Sequence, residues 1–318
     1  MCYSAQIVQE YERYVRAWDA KIDLQTFVRL YRERQRNAAI RIPKAMDAQW
    51  MKVEGPEAAG IRTLIEEHDR QQAVILERML FSQRKRLVDA ERVLQSRTTR
   101  AATESRRIAT DKIAWARGKL DDLHRTAVEE RDSRIFPGHY APVMVWEDGR
   151  RLIKPMRYQC RPAGKPAAHD RKYPGTYNAR RDNLEGFWSG QFGHSHAVVL
   201  TSAFYENVSR HRTEGRELAP GEEEQNLVLE FRPQPQQEML VACLWSHWKS
   251  GSEELMSFAA ITDDPPPEVA AAGHDRCVVP IKPENLDRWL DPSGSSVQNL
   301  HAILEDRQRP YYEHRLAA

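Results

Sequence analysis

The sequence predicts an α+β protein in which an N-terminal helical segment precedes a mixed, largely antiparallel β core. Two observations predict it. Before Phe136 proline occurs only at Pro43 and Pro56, and from Leu64 to Arg134 there is no proline and a single glycine, Gly118. After Phe136 the chain turns to short alternating apolar runs separated by Gly, Pro and Asp, the pattern of strands and turns. With 318 residues the chain can bury one large core or two modest ones. The change of character divides it into an N-terminal stretch, 1–7, that belongs with the β core, a helical insertion over 8–135, the β-rich core over 136–292, and a polar, peripheral tail over 293–318.

Within the helical part, AQIVQEYERYVRAW and DLQTFVRLYRERQR read as two amphipathic helices, the second capped by Asp23. Further on, Leu80, Leu87, Leu94, Ala101, Ile108 and Trp115 recur every seven residues as a helical stripe. The companion column of Gln83, Ala90, Arg97 and Glu104 is poor in apolar side chains, so the stripe is expected to pack on its own chain. SRTTRAATES (96–105) is either the bend of a helical hairpin or the weak centre of one long helix. A hairpin returns the chain toward its start, as it must if Cys2 and Phe136 both reach the β core.

In the second half, Asp148-Gly149 lies between two apolar-alternating runs and predicts a tight β-hairpin. HAVVLTSAFYENV, NLVLEFRP, EMLVACLWSHW and MSFAAIT are further strands, and PENLDRWL is a short helix entered through Pro283.

Composition narrows the function. The 48 basic and 46 acidic residues leave a formal net charge of +2, too small to argue nucleic-acid binding from the total, and mean hydropathy is −0.72. Cys2, Cys160, Cys243 and Cys277 are dispersed without a CxxC pair, which excludes a standard zinc finger and a small disulfide scaffold. His194 and His196 form an HSH pair, but no further ligand has helpful spacing, so a structural role is expected and no metal is called for. There is no signal-peptide pattern and no apolar run of about 18 residues. A cytoplasmic protein, nucleoid-associated in a bacterium, is expected.

Four stretches of the β-rich half carry polar residues at strand ends: YNARRDNLEGFW (177–188), VVLTSAFYEN (198–207), FAAITDDPP (258–266) and GHDRCVVPI (273–281). Together with Cys2 directly after Met1, their order and spacing resemble the SRAP family of SOS response-associated peptidases, or abasic-site processing proteins. The resemblance covers Cys2 and roughly residues 136–292.

That resemblance implies capture of abasic sites in single-stranded DNA, with no cofactor. After removal of Met1, Cys2 carries a free α-amine and a thiol on adjacent carbons, and both act on the ring-opened C1′ aldehyde to form a thiazolidine. Cys2 matches the crosslinking residue, and Asn178 the side chain that holds the N-terminal residue and the sugar. Glu206 matches the acid that handles protons on amine and sugar, and His274 the general acid/base of imine formation and reversal. Arg180 matches a phosphate contact and Thr262 a pocket-lining residue. A lyase-like processing activity and a peptidase-type self-processing of Met1 belong to the same implication.

The chain also departs from the family pattern. Tyr3 and Ser4 stand where the family has glycine and a phosphate-binding arginine, so Tyr3 narrows the pocket or stacks on a base. Gly138-His139-Tyr140-Ala141-Pro142 and Arg157-Tyr158-Gln159-Cys160-Arg161-Pro162 replace more usual motifs, and Asn207 replaces a tryptophan after Tyr205-Glu206. The insertion can be an added arm with Arg84, Lys85, Arg86, Arg97, Arg100, Arg106 and Arg107 as phosphate contacts, or a solvated helical face. Two other functions stay open: a thiol peptidase or amidase using Cys2 and His274, and a non-catalytic adaptor that binds DNA or protein. Oligomeric state is not readable.

Overall fold

The computed structural model describes residues 4–317. Among the described residues thirteen strands are joined in one sheet: β1 (Ser4–Ile7), β2 (Lys21–Ile22), β3 (Arg134–Ile135), β4 (Tyr140–Glu147), β5 (Arg150–Tyr158), β6 (Asn178–Arg180), β7 (His196–Ser209), β8 (Asn226–Gln234), β9 (Met239–Ser250), β10 (Glu253–Asp263), β11 (Cys277–Val278), β12 (Pro280–Ile281) and β13 (Tyr311–Leu316). The α-helices that accompany them are α1 (Tyr11–Trp18), α2 (Leu24–Arg36), α3 (Lys44–Gln49), α4 (Pro56–Ser96), α5 (Arg100–His124), α6 (His169–Lys172), α7 (Arg210–Thr213), α8 (Pro267–Ala271), α9 (Leu286–Leu290) and α10 (Val297–Glu305).

Five strands close on themselves in the order β7-β9-β10-β5-β4 and back to β7, a small barrel whose pairings are antiparallel except β5 with β10. Its hairpin β4–β5 turns at Asp148 and Gly149, with φ of 51° and 73°, the two left-handed residues that this two-residue turn demands. Side chains alternate between two apolar cores. Ala197, Val199, Phe258 and Ala260 point into the barrel, while Val198, Leu200, Ala259 and Ile261 face the helices outside.

The helical segment is anchored on that outer core. Tyr11, Phe27 and Trp50 meet with ring centroids 4.9–5.2 Å apart, and Tyr31 completes the cluster. Each such aromatic contact adds roughly 0.5–1.5 kcal/mol beyond its burial. Asp23 caps α2, its carboxylate accepting from Thr26 N at 3.2 Å. Two arginines of α2 tie it to its surroundings: Arg34 is buried against Asp47 at 2.8 Å, and Arg29 reaches Glu254 at 2.6 Å.

α4 and α5 form the hairpin, broken at residues 97–99 and restarted by Thr99, whose hydroxyl caps Ala102 N. The seven-residue stripe holds along α4, where Leu80 is buried and Leu87 partly so, and Ala90 of the poor column joins them. After the turn its phase slips by one residue. Ala102, Ala109 and Ala116 are buried on α5, while Trp115 is 52% exposed. Residues 97–99 interrupt the helical count, so a period carried through the bend lands on the wrong face.

Two expectations are corrected. Residues 5–7, read as the start of the first helix, are strand β1 paired with β7, and the helix begins at Tyr11. The closing residues 293–318, read as a peripheral tail, contribute buried Leu300, Ile303 and Leu304 of α10 to the outer core and add β13 along β8. Their apolar spacing in VQNLHAIL is masked by the polar residues between.

Of the HSH pair, His194 is exposed and His196 is held inside the fold. His196 is buried, its Nε2 accepts from Gly193 N–H at 2.8 Å, and its Nδ1–H therefore donates to the Trp289 carbonyl at 2.9 Å. Burial pushes its pKa down to about 3. The unfolded chain binds a proton below about pH 6.5 that the folded chain refuses, so stability falls as pH drops through that value. At pH 5 the loss from His196 is expected to be about 2 kcal/mol. Urea titrations at pH 7 and pH 5 check it: His196→Gln should lose less stability over this interval than wild type, and an equal loss would refute the assignment.

Candidate functional site

Strand direction gathers the candidate residues at one mouth of the barrel. β7 and β10 both run antiparallel to β9, so Glu206 and Thr262 approach the same end. β6 lies parallel to β10, with Asn178 beside Ala260 and Arg180 beside Thr262. Ala260 faces the barrel interior, so Asn178, Thr262 and Arg180 share the inward face while Ala179 packs outside. Ser4 opens β1 opposite Tyr205, the neighbour of Glu206.

A β-bulge aims Glu206. Along β1 and β7, Gln6 pairs with Ala203 but Ile7 pairs with Thr201, so Ser202 is one residue too many. Before it Val199 points into the barrel; after it Phe204 and Val208 do. Glu206 lies between them and shares their face. Without the extra residue the alternation would turn Glu206 toward the outer face.

Glu206 is fully buried and its Oε2 lies 3.2 Å from His274 Nε2. His274 comes from the loop between α8 and β11, where Gly273 has φ of +93° and a Cβ would meet Val208 Cγ1 at 2.8 Å and Arg212 Cβ at 3.2 Å. Only glycine lets this loop pass so close to β7. His274 Nδ1 is 2.8 Å from the Arg276 carbonyl, so the neutral ring donates from Nδ1 and turns its Nε2 lone pair toward Glu206. Burial lowers the pKa of His274. A proton held between the two across 3.2 Å would satisfy both groups, an arrangement chemically able to act as a proton relay.

The surroundings sort the remaining candidates. Thr262 is 1% exposed and lines the same wall. Arg180 lies farther out, with its guanidinium on Asp182 at 3.1 and 2.5 Å. That exposed pair is weak. Beside it Arg276 bridges Asp264 at 3.2 Å and Asp182 at 3.6 Å. The structure thus brings Glu206 and His274 into contact, sets Asn178 and Thr262 on the same mouth, and leaves Arg180 at its rim. Cys2 and Tyr3 lie outside the described residues.

Sequence reasoning missed Arg134. Its Nε donates to Ser4 Oγ at 3.0 Å, and its guanidinium lies 3.7 Å over the Tyr205 ring and 4.9 Å over Phe136. Tyr205 in turn donates to Glu230 at 2.7 Å and lies 3.2 Å from Gln6 Oε1. This network pins the first strand to β7. No local motif announces it, because it joins residues 130 positions apart. The three cysteines among the described residues, Cys160, Cys243 and Cys277, are buried and free, and burial pushes every one of their thiols up. Among the described residues no group of three or more His, Cys, Asp or Glu is arranged to hold a metal ion, and no helix is long and apolar enough to cross a membrane.

Comparison with curated proteins gives no match. Among solved structures, a protein from Bacteroides thetaiotaomicron is 14% identical, with 58% of this chain and 77% of that one covered at a TM-score of 0.45. A Bordetella bronchiseptica protein is 16% identical over 58% of this chain and 87% of its own, TM-score 0.45. A phage-related protein of the same organism is 20% identical over 58% and 80%, TM-score 0.44. The model of the family described as SOS response associated peptidase (SRAP) matches residues 94–316, more than two thirds of the chain. The chain belongs to the SRAP family.

Proposed function

We propose that the protein captures abasic sites in single-stranded DNA by forming a covalent thiazolidine with Cys2 after Met1 is removed. Family membership supports a DNA-damage-associated role in abasic-site sensing. The observation that carries the finer reading is the buried Glu206–His274 pair at the mouth where β1 begins. Ser4, the first described residue, lies opposite Tyr205, the neighbour of Glu206.

The chemistry balances without a cofactor. The α-amine, with an ordinary pKa of about 7.7–8.0, is in part neutral near pH 7.5 and adds to the C1′ aldehyde. The carbinolamine loses water as an imine, and the departing hydroxyl takes a proton from the relay. The Cys2 sulfur then bonds to the imine carbon while its proton passes to nitrogen. One molecule of water leaves overall. Asn178 holds the amine and the sugar, Thr262 lines the pocket, and Arg180 exchanges Asp182 for a flanking phosphate. Buried thiols elsewhere stay protonated and do not compete.

The test uses protein whose intact mass shows that Met1 is gone. Incubation with a single-stranded oligonucleotide carrying one abasic site should give a shifted band on a denaturing gel. Cys2→Ala should abolish that band. An equal band in the variant, or none with processed wild type, would refute the proposal. Turnover of an amide substrate without any band would favour the amidase reading instead.

A further inference from the structure

The distal part of the α4–α5 hairpin departs from the charge balance of the rest of the molecule. Phe81–Arg107 carries eight basic and three acidic side chains, a net charge of +5, against a formal +2 for the whole chain. The other 291 residues are therefore net acidic by three charges. Two of its three acids are engaged locally: Asp89 lies 3.7 Å from Arg92, and Glu104 holds Arg107 at 2.6 Å. Arg84, Lys85, Arg97, Arg100 and Arg106 are exposed and make no ion pair among the described residues.

The arm is also built to stand clear. Its small core is made of α4 and α5 alone: Leu80, Ile113 and Ala116, with Leu76, Met79, Leu87 and Leu120 against them. From Leu80 to Ser96 the helix continues for about 25 Å, roughly seven base pairs of duplex at 3.4 Å each. Arg86 is tied across the hairpin by its bond to Ser105 at 2.8 Å.

We propose that this basic end of the hairpin grips the phosphate backbone of double-stranded DNA flanking the captured site. The proposal rests on the DNA-capture reading above. Duplex is favoured over single strand because Phe81 is the only aromatic residue of the stretch, whereas single-strand binders rely on rows of aromatic platforms. A two-helix arm is too wide to read the major groove, so the contact is with phosphates and is independent of sequence.

Fluorescence polarisation of a labelled 20-base-pair duplex without an abasic site tests it, at rising KCl, with the full chain and an Arg84→Gln/Lys85→Gln/Arg97→Gln/Arg100→Gln variant. The variant should bind about tenfold more weakly near 0.1 M salt, and its log–log salt slope should be shallower by about three. Its crosslinking to an eight-nucleotide single strand with one abasic site should match wild type. No duplex binding by wild type, equal binding by both proteins, or a loss confined to anionic phosphatidylserine vesicles would each overturn the proposal. Failure of both proteins to crosslink would refute the capture reading alone, because the duplex measurement does not depend on it.

Discussion

Glu206→Gln is expected to slow crosslink formation by about 10²–10³-fold while the protein remains folded. Glutamine keeps the shape of the side chain and can still donate to the Nε2 lone pair of His274. What it removes is the site that accepts and returns the shared proton across 3.2 Å. His274→Gln should fall in the same range, because each group is useful only with the other. The double variant should be little slower than the slower single one, the behaviour of residues that act as a unit. Single-turnover time courses on denaturing gels measure all three, with thermal melts as the control for folding. Wild-type rates in both single variants would remove the relay from the mechanism.

Gly273→Ala is expected to cost about 2–5 kcal/mol of stability and to slow crosslinking together with it. Two terms add. A left-handed φ costs a non-glycine residue roughly 1–2 kcal/mol. The new methyl would press into Val208 and Arg212, and overpacking of this kind costs roughly 1–3 kcal/mol. Relief comes only by moving the loop, and the loop carries His274, so the relay opens as the strain is released. Urea unfolding and crosslinking rates should change together. A variant as stable and as fast as wild type would show that the loop conformation is not required. Gly118→Ala on α5 is the contrast, since nothing lies within 4 Å of its added Cβ.

What the sequence reveals and what it hides follow from the range of the interactions. The helical segment, the Asp148-Gly149 turn, the Asp23 cap and the long strands are local, so composition and periodicity find them. The hairpin is favoured because the chain must return to its start, and residues 97–99 provide the break. The phase slip that exposes Trp115 is invisible to a period read straight through the bend. The inward turn of Glu206 is hidden too, because it depends on a bulge defined against β1, which lies at the other end of the sequence. Strand β13 is recognisable only once β8 offers it an edge. At the site, order and spacing select Glu206 and His274, and their contact emerges from strand ends that converge on one mouth. Arg134 belongs to the hidden class, a long-range cation whose partners Ser4 and Tyr205 come from distant strands.

Capture by Cys2 is the central claim, and mass spectrometry of the adduct tests it most directly. Processed protein and an oligonucleotide with one abasic site should give a species equal to the sum of the two masses less one water. Proteolysis should place the nucleotide on the peptide that begins at Cys2. An adduct mapped to any other residue, or a processed protein that forms none, would contradict the account.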